Sequence, residues 1–96
     1  MNLLPGVQRV TADIAVGTSG RVIRVYSVNL ISTATASTLI LSNGATTAAT
    51  AWEQIDGVIS QSVTKNYNGG LLFPLGCFAN VDANISYATV TYTEEL

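Results

Sequence analysis

An all-β fold is predicted, a single small β-sandwich of jelly-roll type with about eight short strands, and three observations predict it. Runs of Val, Ile, Leu, Thr and Tyr recur along the 96 residues, and β-branched and aromatic side chains suit a pleated, packed surface. Gly, Asn, Asp and Pro punctuate those runs about every 8 to 12 residues, as turns do in sandwiches and barrels. No stretch of useful length repeats its apolar residues with the period of a helix. A small β-barrel is the alternative, disfavoured because the runs are short and unequal where an up-and-down barrel needs more even strands.

Residues 1–6 (MNLLPG) place two leucines before a Pro-Gly turn signal and predict an N-terminal arm, leaving residues 7–96 as the sandwich domain. Over 7–16 (VQRVTADIAV), Val10, Ala12, Ile14 and Val16 alternate with Thr11, Asp13 and Ala15, so one half-buried strand is expected. The GTSG of residues 17–20 connects it to the run 21–32 (RVIRVYSVNLIS). As a phosphate cradle GTSG needs a helix behind it, and a strand-like run follows instead. That run has apolar residues at both parities, Ile23, Val25 and Ile31 against Val22, Tyr26, Val28 and Leu30. It therefore reads as a central strand covered on both faces, by its own fold or by a partner chain. Small residues over 33–37 predict a bend, and STLILS (37–42) a strand closed by Asn43-Gly44, which supplies a positive φ. Residues 45–51 read as an extended loop. Between WEQID (52–56) and VISQSV (58–63), Asp56-Gly57 predicts a hairpin. KNYNGG (65–70) predicts a turn, Leu71 to Phe73 a short strand stopped by Pro74, and CFANV (77–81) another. ISYATVTYT (85–93) is the last, with Tyr87 and Tyr92 on opposite faces and Glu94 and Glu95 in water.

Composition narrows the function. The chain is 48% hydrophobic and 10% charged, with a net charge of −2 and a mean hydropathy of +0.38, whereas soluble domains carry about 25% charged residues. A surface so poor in charge favours association, so a homo-oligomer is expected, a trimer first. Four basic residues without a cluster leave no footprint for nucleic acid or an anionic membrane. The start lacks the pattern of a signal peptide, and no apolar run approaches the ~18 residues of a membrane span. A lone Cys77 forms no internal disulfide and reads as a small buried hydrophobe.

Without a histidine, Ser-His and Cys-His nucleophilic pairs and imidazole metal sites are excluded, leaving carboxylates for any catalysis. Glu53 and Asp56, three apart on one strand, leave it on opposite faces and do not make a glycosidase pair. Asn80, Asp82 and Asn84 are spaced like the first ligands of a Ca²⁺ loop, but the sixth-position Gly and twelfth-position Glu are missing, and turns that bond their own backbone explain them. No enzyme, cofactor or metal is expected. Asn84-Ile85-Ser86 is formally a glycosylation sequon, without a secretory signal to make it relevant. Trp52, Tyr67, Phe73, Tyr87 and Tyr92 read as core or subunit interface, or as the aromatic platform of a small carbohydrate-binding module. Leu3, Leu4, Val7, Trp52 and Phe73 are the interface candidates. Burying two leucines stabilises a contact by about 3 to 6 kcal/mol, enough to dock an arm on a neighbour.

The order GRVIRVYSVNLIS, LILSNG, WEQIDG and GGLLFPLGCFANVDANISYATVTY resembles a family of small proteins common in tailed-bacteriophage genomes, marine phages especially. Its most specific part is Phe73-Pro74-Leu75-Gly76-Cys77-Phe78 with Val81-Asp82-Ala83-Asn84, and it covers the chain from residue 17 onward. The resemblance implies a virion component made in the host cytoplasm, a decoration or cement protein on the capsid surface whose partner is the major capsid protein or another virion protein. A head-fibre, neck or tail component is the alternative. The family offers no catalytic residues to transfer.

Overall fold

The punctuation of the sequence divides the chain into eight strands. In chain order they are β1 (Leu3–Val10), β2 (Ile14–Val16), β3 (Ile23–Ser32), β4 (Thr38–Asn43), β5 (Thr50–Asp56), β6 (Ser62–Phe73), β7 (Cys77–Val81) and β8 (Ile85–Glu95). The structure, a computed structural model, describes residues 3–33, 37–59 and 61–95. Two four-stranded sheets form, ordered β1-β8-β3-β6 and β2-β7-β4-β5, and every pairing is antiparallel. A long hairpin with its tip between β4 and β5 pairs β1 with β8, β2 with β7, β3 with β6 and β4 with β5, and all four ladders are present. Rolling that hairpin up adds β3–β8 and β4–β7, which makes a jelly-roll sandwich.

The registers build the core in rows. Across the first sheet run Leu4, Glu94, Ile23 and Phe73; then Gly6, Tyr92, Val25 and Leu71; then Gln8, Val90, Val28 and Lys65; then Val10, Ala88, Leu30 and Val63. Val16, Leu39, Leu41, Ile55, Cys77 and Ala79 meet them from the second sheet, and all six are buried. At about 1.5–3 kcal/mol for each large aliphatic side chain, this one layer is the fold's main stabilising term.

β3 is central, as expected, and the chain's own fold covers one of its faces. Both of its ladders slip between Val25 and Ser27, leaving Tyr26 as the extra residue of a β-bulge. The slip reverses the parity of the strand: Ile23 and Val25 point inward before it, Val28 and Leu30 after it, all fully buried. Apolar residues at both parities thus record a bulge, and the outward side carries Arg24, Ser27, Asn29 and Ile31.

Other expectations are corrected in the same way. The strand expected over 7–16 breaks at residues 11–13, where the Asp13 carboxylate accepts the Val81 N–H at 2.8 Å and the chain passes from the first sheet to the second. The arm expected over 1–6 is, for residues 3–6, the first half of β1, paired with residues 92–95 and covered at Gly6 by the Tyr92 ring; Met1 and Asn2 lie outside the described residues. Asp56-Gly57 makes no hairpin, because β5 and β6 belong to different sheets. Gly57 is needed for close approach: its N–H donates to the Ser37 carbonyl at 2.8 Å, and a Cβ there would collide with the Ser32 and Ser37 hydroxyls, which bond each other at 2.6 Å. KNYNGG does not turn the chain. Residues 67–70 bulge out of β6 between Asn66 and Leu71, which pair with Ser27 and Val25, and β6 continues to Phe73. Of the bend expected over 33–37, residues 34–36 lie outside the described residues.

Candidate functional site

The groups that chemistry would use are dispersed or engaged. Glu53 pairs with Leu41 and turns inward at the edge of β5, whereas Asp56 pairs with Thr38 and turns outward, so the two carboxylates part as expected. Glu53 meets Lys65 of β6 at 3.6 Å, an edge ion pair contributing about 1 kcal/mol at most. Both oxygens of Asp82 cap backbone, Oδ1 accepting from Asn84 N at 2.9 Å and Oδ2 from Thr38 N at 2.8 Å. The Asx turn expected there is present, and Asn80 donates to Ser42 instead. Glu94, expected in water, is buried and accepts the Thr18 N–H at 3.2 Å, which ties the GTSG loop to β8. Burial pushes the Cys77 thiol up to about 12, so almost no nucleophilic thiolate exists at neutral pH. Burial, and after it the adjacent Glu53 carboxylate, raises the Tyr67 phenol well above its ordinary value; among the described residues the hydroxyl has no hydrogen bond of sound geometry.

The aromatic residues do not form a platform. Phe73, an expected interface residue, is fully buried and is withdrawn from the surface. Its partner Trp52 is the extra residue of a bulge on β5, stacked on Phe73 at 5.8 Å between centroids and 29° between planes, and 47% exposed. Tyr92 faces inward, while Tyr87 faces out beneath the Arg9 guanidinium, 4.0 Å from its ring centroid. Position on the pleat decides each case.

What the chain does offer is surface of two kinds. The outer face of the first sheet follows from the registers: Pro5, Thr93, Arg24 and Leu72 in one row, Val7, Thr91, Ser27 and Asn66 in the next, then Arg9, Thr89, Asn29 and Thr64. It is a hydroxyl and amide grid, in which Asn29 donates to Ser62 and Thr64 at 2.8 Å each. The second kind lies along the sandwich's two open sides. On the β1/β2 side, where Gln8 bridges the sheets by donating to Ala15 O and accepting from Gly17 N, Leu3, Leu4, Val7 and Ile14 stand 47–69% exposed. On the β5/β6 side stand Trp52 and Leu72, with Val58 and Ile59 in the connection that leaves β5. A shallow cleft of about 310 Å³ there is lined by Ala51, Trp52, Glu53 and Gln54.

Leu3, Leu4, Val7 and Trp52 are thus where a partner can reach them. Sequence reasoning missed Ile14, Val58, Ile59 and Leu72, all assigned to ordinary strands; the alternating pattern of 14–16 and the apolar pair beside Gly57 were the only signals. Comparison with protein-family models, curated proteins and solved structures gave no match.

Proposed function

We propose that this chain is a structural protein of a tailed-phage virion, which decorates the outer capsid and cements neighbouring shell subunits through many weak, non-covalent contacts. The observation that carries the reading is a surface with little charge for its size: a grid mostly of Thr, Ser and Asn on one sheet, with Arg9 and Arg24 as its charges, and aliphatic residues along the open sides. Such a surface suits burial in a repetitive assembly, where modest contacts act together through effective concentration. The resemblance of residues 73–84 to small phage virion proteins supports it. In this reading the chain performs no catalysis, and its partner is the major capsid protein or another virion protein.

The test is cosedimentation of purified chain with capsid shells stripped of small surface proteins, read as copies bound per shell. Saturation at a fixed ratio to shell subunits supports decoration. Binding of a few copies at one vertex moves the chain to the neck, tail or head fibre. Trp52 beside its cleft favours one other reading, a carbohydrate-binding module; binding to a glycan panel with none to shells selects it.

A further inference from the structure

We infer that Asn68-Gly69 is a modification site, at which the folded chain converts its own asparagine to aspartate and isoaspartate with water as the only co-reactant. The sequence holds two Asn-Gly pairs, Asn43-Gly44 and Asn68-Gly69. In both, the glycine's missing Cβ leaves its backbone nitrogen open to the preceding side chain. The fold treats the two pairs differently.

Asn43 is locked. It ends β4 and pairs with Thr50 on one side and Cys77 on the other. Its Oδ1 accepts the Leu75 N–H at 3.0 Å, and the Gly44 N–H donates to the Gly76 carbonyl at 2.9 Å. The side-chain amide and the nitrogen that must attack it are therefore both held in hydrogen bonds that have to break first.

Asn68 is held much less. Residues 67–70 stand outside the ladder that joins Asn66 to Ser27 and Leu71 to Val25, and β6 is the edge of its sheet, with no strand beyond it among the described residues. Asn68 and Gly69 are exposed, and the Asn68 side chain makes no hydrogen bond among the described residues. Gly69 turns at a φ of +81°, with nothing within 4 Å of where a Cβ would stand, so no distant part of the chain blocks the side chain from swinging onto the Gly69 nitrogen. The Arg24 guanidinium donates to the Gly69 carbonyl at 3.1 Å, an atom that the reaction does not use.

The chemistry balances without an oxidant or reductant. Base removes the Gly69 amide proton and the nitrogen attacks Asn68 Cγ. The Gly69 N–Cγ bond forms, the Cγ–Nδ2 bond breaks and ammonia leaves, giving a succinimide. Water then opens the ring at either carbonyl. Breaking N–Cγ leaves aspartate on an intact backbone, whereas breaking the bond from the Gly69 nitrogen to the Asn68 carbonyl carbon leaves isoaspartate, with the backbone routed through the side chain. Either product adds a negative charge to a chain of net −2, one residue from the carbonyl that Arg24 holds. The extra backbone atom of isoaspartate falls in a bulge, where no register depends on it.

Incubation of the folded full chain in heavy-oxygen water at mildly alkaline pH, followed by peptide mass mapping, tests this. Heavy oxygen is expected at position 68, in two products of equal mass that chromatography separates. Position 43 is expected to react at least about tenfold more slowly, because its hydrogen bonds must open first. In denaturant the two positions are expected to react at similar rates. Asn68→Gln, whose longer side chain must close a larger ring, is expected to lose the acidic species that folded wild type accumulates on anion exchange. An Asn68 amide that survives in the folded chain for as long as the denatured chain needs to convert it overturns the inference. So does equal labelling of positions 43 and 68 in the fold, or an acidic species that persists unchanged in Asn68→Gln. None of these outcomes depends on whether the chain decorates a shell.

Discussion

Burial raises three groups, Cys77, Tyr67 and Tyr92, and the stability that each contributes responds to alkaline pH. Cys77 favours the neutral thiol in the fold, with its value pushed up to about 12 by burial, against about 8.5 when unfolded. Its contribution to stability is complete below about pH 8.5 and is lost as pH rises toward 12. Tyr67 and Tyr92 are raised by burial first, then by Glu53 and Glu94 respectively, so their contributions have the same sign and fade above about pH 10. The melting temperature is expected to fall steadily once pH passes about 9; a melting temperature unchanged up to pH 11 contradicts the assignment. A thiol reagent at pH 8 should leave native Cys77 untouched and modify it at once in denaturant. Gly57 gives a second residue-level outcome. Gly57→Ala is expected to cost about 1–3 kcal/mol in chemical denaturation, because the new methyl must displace the Ser32–Ser37 hydroxyl pair.

At the scale of elements, β1 is the one whose role changed most between sequence and structure. Residues 3–6 read as an arm because Pro5-Gly6 is a turn signal, yet a proline fits an edge strand and Gly6 leaves space for the Tyr92 ring. Deleting residues 1–6 is therefore expected to destabilise the domain by at least about 2 kcal/mol, since half of the β1–β8 ladder goes with them. An unchanged melting midpoint would restore the arm. Strands bounded by strong turn chemistry were legible: β4 ends at Asn43-Gly44, β7 starts after Gly76, and β8 follows the Asp82 turn, all within two residues of expectation. Bulges were not. Tyr26 reverses the parity of β3, and residues 67–70 read locally as a turn although the ladder to β3 resumes beyond them. Long-range pairing decides such cases, and no local residue pattern records it. The surface was half legible for the same reason: of the interface candidates, Leu3, Leu4, Val7 and Trp52 are exposed, while Phe73 was lost to the inward phase of β6.

Over the whole molecule, the two open sides of the sandwich differ in how they are closed. The β5/β6 side holds Lys65 and Glu53 pointing inward and bulges on both strands, devices that discourage uncontrolled edge pairing. The β1/β2 side has Gln8, Pro5 and Arg9 beside its aliphatic residues. The inner faces carry the fold, and the proposed decoration of a shell assigns the outer grid of the first sheet to the capsid. Two cations stand on that grid, Arg24 bonded to the Gly69 carbonyl and Arg9 held over the Tyr87 ring, and the rest of its rows are uncharged, so attachment to a capsid should depend only modestly on salt. The most direct measurement is the number of chains bound to stripped shells at ~0.05 M and ~0.5 M salt, a range over which the Debye length falls from about 14 to about 4 Å. Decoration predicts saturation at a fixed ratio to shell subunits, with affinity changing less than about threefold between the two salts. Failure to bind shells at either salt, or binding that the higher salt abolishes, contradicts it.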